Sequence, residues 1–546
     1  MKISLLSIFP DIQSFGIRSI SACLKKEGHD VDLVFLPKPF TEKYSDKTMD
    51  DLVKLTKGSD LVGITLMSNF WDNAIQITNK VKQNDNNVKV IWGGTHPTIR
   101  PEECLDHADM VCIGEGEETL IELTRKMQKE EFYYDTKGMG FNHSGKRILN
   151  KLRELPGSSK AMIKSLDDIP FQDHDYKSHY IMTGENIVKM NIDIVKKLRL
   201  SEFYQTQPTR GCPFACTFCV NNTFLAMHPH QKPLRKRSVD NVINELLEVK
   251  KNLPFTKIIL FDDDAFFIMP LEEIRDFSIK YKKLIKLPLV ITGATPSTLT
   301  QEKLSLLVEA GLVGMRMGIQ SAGEKTKKLY KRPHSNKQVA NAVKMVNGYK
   351  NKVKAYYDII LDSPWDTDEN SIETLMFLSG LPAPFQLTLF SLVFFPGTDL
   401  YRKAKDEGIV KDDINDIYRK HYHGCQPTYL NKLHFLIADY ALVGININPK
   451  IMSFLTNKWV KKLFLHWPSY KIIRAMFPFF RYVGRRFIPA AKMYKNGWDS
   501  ITKKDEDYNP SSYLEVEDSI TEDNAEISTD NNKNDSEEKR NEPLRA

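Results

Sequence analysis

The chain alternates short β-branched, apolar runs with helical stretches, and no other feature of the sequence constrains its fold as much. Strands separated by helices pair in parallel, because each right-handed crossover returns the chain to the same end of the sheet. Early in the chain a helix is predicted at 17–27, and the predicted strands are 3–9, 31–36, 61–67, 88–92 and 110–113. The sequence therefore predicts an α/β fold that opens with a doubly wound parallel sheet.

A second strand–helix alternation begins near residue 204, with helices predicted at 239–251 and 299–310. Its predicted strands are 206–209, 258–261, 289–293, 314–320, 355–361 and 387–395. Six such units are fewer than the eight that close a full barrel, so we expect an open, partial (βα)6 TIM-type barrel. In barrels of this kind the functional groups follow the strand ends.

A chain of 546 residues exceeds one ordinary hydrophobic core, so several domains are expected. The predicted division is a sheet domain at 1–135, a linker at 136–200, the barrel at 201–410, a basic aromatic helical region at 411–500 and an acidic tail at 501–546. From 505 to 546 there are 14 acidic and 4 basic residues and few aromatics, which predicts a disordered, solvated tail.

The seven cysteines are few for this length, and four of them are scattered: Cys23, Cys104, Cys112 and Cys425. Scattered free thiols are typical of a reducing compartment. The chain starts directly in a predicted strand rather than in a leader, and no run of 18 or more apolar residues is found. We therefore expect a cytoplasmic protein.

The other three cysteines, Cys212, Cys216 and Cys219, lie in one loop after the first predicted barrel strand. Three thiolates with Cys-x3-Cys-x2-Cys spacing can hold three irons of a cubane cluster and leave the fourth iron open. A zinc knuckle or three incidental thiols is the alternative, but no nearby fourth cysteine completes a closed tetrahedral set. We interpret the three cysteines as metal ligands.

This loop, with Phe218 just before the last cysteine, resembles the cluster loop of the radical S-adenosylmethionine (SAM) superfamily. The resemblance implies a [4Fe-4S] cluster whose open iron chelates SAM, and reductive cleavage of SAM to a 5′-deoxyadenosyl radical. It also implies an electron donor such as ferredoxin or flavodoxin. Phe218 is predicted to contact the cofactor.

Small, turn-forming residues follow two neighbouring strands of the first sheet, where ligands bind in open α/β folds. Glycine at such turns lets a ligand approach the backbone. Together with the cysteine loop, these turns resemble the cobalamin-binding domain of cobalamin-dependent radical SAM enzymes. The resemblance implies cobalamin contacts from Gly93, Gly94, Gly114, Glu115, Gly116 and Ser68.

The first strand is followed by Asp11, Gln13 and Gly16 in the pattern Asp-x-Gln-x-x-Gly, where many cobalamin domains have Asp-x-His-x-x-Gly. An amide is a poor cobalt ligand beside imidazole, so cobalamin is expected to lack a histidine below the cobalt. The alternative is a domain that keeps its shape without the cofactor. His96, beside Pro97 in a turn, is expected to bond its own loop.

Three later positions are candidate SAM contacts. Asp263 lies in a run of acids after the second barrel strand, which could hold the SAM amino group or serve as a helix N-cap. Gln320 and Ser321 end a Gly-Ile-Gln-Ser run that resembles the family's Gly-Ile-Glu-Ser. Glutamine keeps a hydrogen-bond acceptor but loses the charge, which predicts an altered contact.

Between residues 440 and 498 the chain has eleven Lys and Arg, no Asp or Glu, and many aromatic residues. This composition suits three alternatives: a helical subdomain with a basic solvent face, a surface that contacts an anionic membrane, or an RNA-binding region. We weigh nucleic acid lowest. Peripheral contact with the inner face of the membrane through 440–498 stays open.

The leading hypothesis is a radical SAM enzyme that uses cobalamin to functionalise an unactivated carbon of a small-molecule or lipid substrate, by C-methylation of a lipid or isoprenoid in the favoured version. No acid–base catalytic residue is assigned. The alternatives are cyclisation or rearrangement with the same cofactors, a methylthiotransferase acting on tRNA or protein, and a non-catalytic corrinoid sensor.

Overall fold

A computed structural model of the protein describes residues 1–197, 202–332 and 334–466. The strands are β1 (Lys2–Ser7), β2 (Asp30–Phe35), β3 (Leu61–Thr65), β4 (Lys89–Gly93), β5 (Met110–Cys112), β6 (Met139–His143), β7 (Lys146–Leu149), β8 (His179–Thr183), β9 (Asn186–Lys189), β10 (Phe203–Thr206), β11 (Thr209–Arg210), β12 (Arg235–Lys236), β13 (Ile258–Phe261), β14 (Leu289–Ala294), β15 (Leu312–Gln320), β16 (Lys354–Leu361) and β17 (Gln386–Ser391).

The α-helices are α1 (Phe15–Lys26), α2 (Asp46–Thr56), α3 (Trp71–Asn84), α4 (Thr95–Ile99), α5 (Pro101–Cys104), α6 (Glu117–Gln128), α7 (Ile192–Lys197), α8 (Val220–Met227), α9 (Val239–Asn252), α10 (Leu271–Leu284), α11 (Gln301–Ala310), α12 (Glu324–Leu329), α13 (Asn336–Asn347), α14 (Asp368–Ser379), α15 (Asp399–Asp406), α16 (Tyr429–Leu442), α17 (Pro449–Leu455) and α18 (Lys458–His466).

The first sheet has nine strands in the order β7-β6-β5-β4-β3-β1-β2-β8-β9. Strands β1 to β5 and β8 run parallel, and β1 pairs with both β2 and β3. Apolar clusters lie on both faces of the sheet, because its strands are nearly continuous runs of buried aliphatic residues. The predicted doubly wound sheet is confirmed, and its carboxyl ends face the barrel.

Residues 136–200 were expected to be an irregular linker, and the structure corrects this. They supply β6 and β7 to one edge of the sheet and β8 and β9 to the other. Both pairs are antiparallel hairpins whose turns contain glycine, Gly145 and Gly184, at positive φ. Their short, polar outer strands did not show the β-branched pattern of the central strands, because an edge strand faces solvent on one side.

The barrel sheet has six parallel strands in sequential order, β10-β13-β14-β15-β16-β17, as the sequence predicted. Five of the six predicted strands coincide with observed strands to within a few residues. The first strand was predicted too late in the sequence, at 206–209, whereas β10 ends at Thr206. Thr209–Arg210 instead forms β11, which pairs antiparallel with β12. This small ribbon defines the base of the cysteine loop.

Residues 411–425 pack against the first domain rather than forming part of a basic helical region. This segment contains a π-helical turn at Ile414–Tyr418. Asp413 accepts a hydrogen bond from Arg100 at 2.9 Å, and the Tyr418 hydroxyl donates to Glu103 at 2.5 Å. The barrel and the first sheet are therefore joined on this side by polar contacts that the sequence did not reveal.

Helices α16 and α17 close the barrel at its C-terminal side, with Met452 of α17 buried in the barrel core. Of the helices that the structure describes, none combines the length and the apolarity needed to cross a bilayer. Most of the predicted basic region, 467–498, and the whole predicted acidic tail lie outside the described residues.

Candidate functional site

A cavity of about 380 Å³ lies between the carboxyl ends of the first sheet and the cysteine loop of the barrel. From the first domain it is lined by the end of β3 and the turns after β4 and β5, and from the barrel by Cys212, Asp264 and one face of α8. Strand ends of two parallel sheets thus meet at one space, which is where α/β folds place ligands.

The glycine turns predicted to approach a ligand do line this cavity: Gly93, Gly94, Gly114 and Gly116. Gly94 has φ +101, and a Cβ there would lie 2.9 Å from the Leu66 carbonyl oxygen. A Cβ on Gly116 would lie 2.7 Å from Ile20 Cδ1, inside the cavity wall. The Thr98 hydroxyl accepts the Gly114 amide at 3.0 Å and links the two turns. The absence of side chains therefore keeps this part of the cavity open.

The inner part of the cavity runs between the first sheet and two of its helices, α1 and α6. Its walls are apolar side chains from both layers, and they are Leu5, Ile17, Ile20, Ile91, Cys112 and Leu120. Such a slot takes up a flat apolar group through the hydrophobic effect and excludes charged ones.

Gln13, at the position where a cobalt-binding histidine stands in many cobalamin domains, points elsewhere. Its side-chain amide donates to the carbonyl oxygen of Phe203 in the barrel at 3.0 Å, and it is buried. It is not among the residues that line the cavity. The loop after β1 therefore contributes Phe15 and Gly16 to the cavity wall and no nitrogen ligand from this position.

Ser68, predicted to contact cobalamin, is buried and bonds His96 instead, with its Oγ 2.9 Å from His96 Nδ1. The other ring nitrogen of His96 lies 3.1 Å from a Glu103 carboxylate oxygen. Neither Ser68 nor His96 lines the cavity. His96 was expected to bond its own loop, and its ring instead contacts Ser68, which follows β3, and Glu103 of α5. A cofactor role of Ser68 stays a prediction.

The cysteine loop is an excursion between two neighbouring arginines of the β11–β12 ribbon, Arg210 and Arg235. Cys216 is buried and Cys212 and Cys219 are partly exposed. Cys219 is the residue before α8, where a helix N-terminus favours a thiolate. Arg332 lies with Nη1 3.2 Å from Cys216 Sγ, and its Nη2 donates to the Gly318 carbonyl oxygen at 2.7 Å.

Burial raises the pKa of Cys212 to about 11 and that of Cys219 to about 12, so bare thiols here would stay protonated near neutral pH. Bound metal stabilises the thiolate form. Within the described chain, no three His, Cys, Asp or Glu side chains converge on a single ion. A four-iron cluster binds each thiolate at a different iron, so its ligands do not have to meet at one ion.

Glu115 was predicted to contact cobalamin, and the structure shows that its carboxylate joins the two domains. It accepts from Arg210 at 2.9 Å and from Arg235 at 3.0 Å. Arg210 also donates to Glu117 at 2.7 Å. The two guanidinium groups hold the pKa of Glu115 at about 2, even though burial alone would raise it. Since Glu115 also lines the cavity, it borders the cofactor space and anchors the cysteine loop.

Asp263, a predicted SAM contact, is turned away from the cavity. Its carboxylate accepts the Thr209 amide and hydroxyl, each at 2.7 Å, and the Ala265 amide at 2.8 Å. Asp263 therefore fixes the strand that leads into the cysteine loop. The barrel acid that lines the cavity is its neighbour Asp264, which lines it together with Asn221 and Cys212.

The remaining predicted SAM contacts also lie outside the residues that line the cavity. Gln320 ends β15 with φ +69. The Ser321 hydroxyl accepts the Gly323 amide at 3.1 Å and lies 3.2 Å from Thr374 Oγ1. Phe218 packs edge-on against Tyr330, with ring centroids 5.2 Å apart. Their cofactor roles stay predictions.

The first domain has three cysteines, Cys23, Cys104 and Cys112, and each packs into a different hydrophobic cluster. Burial raises the pKa of Cys112 to about 12. They are not brought together as the ligands of a second cluster would be.

Sequence reasoning missed the residues that tie the site together, chiefly Arg210, Arg235 and Arg332. Arg210 stands two residues before Cys212, and this closeness in sequence is the one sign that could have marked it as part of the site. Arg235 and Arg332 are distant in sequence and become recognisable only once the ribbon and the loop after α12 bring them to the cysteines.

A doubly wound sheet and a partial barrel that share one cavity, with a three-cysteine loop at the barrel mouth, define a two-domain cofactor enzyme of the cobalamin and radical SAM type. Comparison with known families agrees. The model of the B12 binding domain matches residues 1–124, and the model of the radical SAM superfamily matches residues 206–378.

Two proteins are similar to this chain over more than half of its length. An uncharacterized methyltransferase of Pyrococcus horikoshii is 26% identical over 390 residues, which are 70% of this chain and 76% of that protein. An anaerobic magnesium-protoporphyrin IX monomethyl ester cyclase of Rubrivivax gelatinosus is 24% identical, over 55% of this chain and 50% of that protein.

Among solved structures, the radical SAM methyltransferase TsrM of Kitasatospora setae, with cobalamin and a [4Fe-4S] cluster bound, superposes with a TM-score of 0.60. It is 15% identical and covers 74% of this chain and 78% of its own. The chain belongs to the radical SAM proteins that carry an N-terminal B12-binding domain. Its cofactors are accordingly a [4Fe-4S] cluster, SAM and cobalamin.

The residues present fit these groups. The three cysteines supply the thiolates that a cluster with one open iron requires. The apolar slot walled by Ile20 and Leu120 suits the benzimidazole base of cobalamin, and the glycine turns leave room at its entrance. Asp264 and Asn221, beside Cys212, offer a carboxylate and an amide for the amino and carboxylate groups of SAM.

Proposed function

We propose that this protein is a C-methyltransferase that acts on an unactivated carbon of a small apolar molecule. One observation carries the proposal: a single cavity is bordered by the glycine turns of the B12-binding domain on one side and by Cys212 on the other. Cofactors held at those two walls face the same space, so a substrate between them is within reach of both. The methyltransferase name of the Pyrococcus horikoshii relative supports this reading.

When bound, the cluster with SAM supplies a radical that removes a hydrogen atom, and cobalamin supplies the methyl group. The protein's own residues position and shield these groups. Arg332 donates toward a cluster thiolate, and Glu115 keeps the base of the cysteine loop against the B12-binding domain. Gln13, turned into the domain interface, leaves the adjacent cavity wall without an imidazole ligand from its position.

The side of the cavity formed by α8 is apolar, with Phe224, Leu225 and Met227 lining it. Apolar walls exclude water from a reactive carbon radical and favour a hydrocarbon substrate. A lipid or isoprenoid chain is therefore the substrate class that we propose. The electrons that reduce the iron–sulfur cluster would come from a small reducing protein such as ferredoxin or flavodoxin, in a reducing compartment of the cell.

Cyclisation with the same cofactors is the second candidate. The specific observation in its favour is the similarity to a protein named as an anaerobic cyclase. A methylthiotransferase is less well supported, because Cys23, Cys104 and Cys112 lie in separate hydrophobic clusters rather than around a second iron–sulfur cluster. A corrinoid sensor would leave the cysteine loop without a role.

The decisive experiment starts from protein purified and reconstituted without oxygen, mixed with a low-potential reductant, extracted lipids and SAM that carries a deuterated methyl group. We expect 5′-deoxyadenosine and a lipid product that contains the label. A product without label would establish cyclisation or rearrangement, and a loaded protein that never cleaves SAM would establish the sensor.

Cysteine variants supply the matched control. Cys212→Ala is expected to lose the brown chromophore and SAM cleavage, because it removes one of three cluster ligands. Cys425→Ala removes a partly exposed thiol outside the loop and should keep both. Survival of the chromophore and of turnover in Cys212→Ala would contradict the proposed site.

A further inference from the structure

The C-terminal helices α17 and α18 expose large apolar side chains where a soluble helix normally presents polar ones. Ile451 is 55% exposed, Phe454 65% and Trp459 70%. Met452, between the first two, is fully buried in the barrel core, so α17 is apolar on its outer face as well as its inner one. We call Ile451, Phe454 and Trp459 the apolar patch.

Lysines frame the apolar patch. Lys458 Nζ lies 5.9 Å and Lys462 Nζ 5.6 Å from the ring centroid of Trp459, and Lys450 is exposed on α17. Between 440 and 498 there are eleven Lys and Arg and no Asp or Glu. The charged side chains of α17 and α18 themselves are all basic, whereas an ordinary soluble surface mixes both signs. One of these lysines, Lys461, is paired with Asp368 of α14.

Helix α10 shows how an ordinary exposed apolar residue looks in the same protein. Ile279 is 61% exposed there, but Glu272, Glu273 and Asp276 share its helix with the lysines. Exposed apolar side chains among mixed charges need no partner. The apolar patch differs because the charged residues of its own two helices are all basic.

We propose that the apolar patch docks on the surface of an anionic phospholipid bilayer. Aromatic and aliphatic side chains enter the boundary between headgroups and acyl chains, while flanking lysines contact lipid phosphates. RNA would also attract the lysines, but Ile451 has no ring to stack on a base, so this exposed side chain would stay unused. Charge and shape together favour the bilayer.

Membrane docking is independent of the reaction, because it is measured without turnover. The test uses the full-length holoenzyme and vesicles of phosphatidylcholine with about 30% phosphatidylglycerol, compared with pure phosphatidylcholine. We expect the protein to sediment with the anionic vesicles, and to be released when salt rises from about 0.1 M to about 0.5 M, where charges are screened within a few ångströms.

Variants locate the surface. Phe454→Ala with Trp459→Ala, and separately Lys458→Glu with Lys462→Glu, should each weaken vesicle binding about tenfold or more. The matched controls on α10, Ile279→Ala and Lys282→Glu with Lys283→Glu, should bind as the unchanged protein does. All these side chains are exposed, so folding is expected to persist in every variant.

Several outcomes would overturn the proposal. Absence of sedimentation would mean that another part of this chain, or nothing, covers the patch. Equal binding to both kinds of vesicle would remove the charge argument. Binding that survives Phe454→Ala with Trp459→Ala would place the contact elsewhere, and retention of an unrelated RNA in preference to vesicles would assign the surface to nucleic acid.

Discussion

Glu115 of the B12-binding domain accepts a hydrogen bond from Arg210 at 2.9 Å, and Arg210 stands two residues before the first cluster cysteine. The same carboxylate accepts from Arg235, the partner of Arg210 in the β11–β12 ribbon. One side chain thus joins the cofactor turn of one domain to both strands that bear the cysteine loop of the other.

Replacing Glu115 by Gln is expected to destabilise the protein by about 2–4 kcal/mol, because buried Arg235 loses its counter-charge and Arg210 keeps only Glu117. Chemical denaturation of the anaerobic protein measures this difference. Glu131→Gln, at a 56% exposed side chain, is the matched control and should change stability by less than about 0.5 kcal/mol. Equal stability of both variants would show that the ion pairs do not hold the domains together.

The contribution of Glu115 should also depend on pH. Its pKa is about 2 in the folded protein, below the ordinary value of 4.5, so its stabilising effect is complete above about pH 4.5 and is lost as pH falls toward 2. The stability difference between unchanged protein and Glu115→Gln should therefore be constant from pH 7 to pH 5 and shrink at about pH 3. A difference that grows on acidification would contradict this sign.

Gly116→Val should reduce cobalamin binding and leave the cluster intact. Even the first carbon of the new side chain would lie 2.7 Å from Ile20 Cδ1, so the larger group fills the apolar slot, while φ near −90° permits any residue. The corrinoid released per protein and the iron content measure the two effects. Gly380→Val, in a comparable backbone conformation outside the cavity, is the control. Unchanged corrinoid in Gly116→Val would place the cofactor elsewhere.

Arg332→Gln should lower the reduction potential of the cluster. The guanidinium lies 3.2 Å from Cys216 Sγ, and a cationic donor to a cluster sulfur stabilises the more negative, reduced state. We expect a shift on the order of 60 mV, which corresponds to about 1.4 kcal/mol for one electron. A redox titration followed by electron paramagnetic resonance measures it, with the exposed Arg275→Gln as control. A potential equal to the control's would show that Arg332 acts on Gly318 alone.

Much of the fold could be predicted from the sequence because the central strands of both sheets are continuous apolar runs bounded by turns. The hairpin strands β6–β9 escaped prediction, since their outer faces are solvated and their pattern is weak. The first barrel strand was predicted too late in the sequence. Thr206 and Thr209 both have strand propensity, and only the pairing with other strands separates β10 from β11.

The site divides in the same way. The cysteines and glycine turns were recognisable, because their chemistry depends on local spacing. Asp263 and Ser68 were predicted to touch a ligand, and their side chains bond Thr209 and His96, while Glu115 both lines the cavity and bonds Arg210. A polar residue after a strand has the same appearance in sequence whether it faces a cofactor or fastens the neighbouring loop. Only the partner across the fold distinguishes the two.

The contact of Tyr418 with Glu103 and that of Arg210 with Glu115 hold the two domains together at two separate places, which bears on how substrate enters the enzyme. A hinge that swung the domains apart would have to break polar contacts at both places. Exchange of substrate and product is therefore better served by a local shift of α8, the short helix whose apolar side chains form one wall. Admission of a long hydrocarbon would then require movement only at the C-terminal end of α8, because Cys219, the residue before its first turn, is held at the cluster.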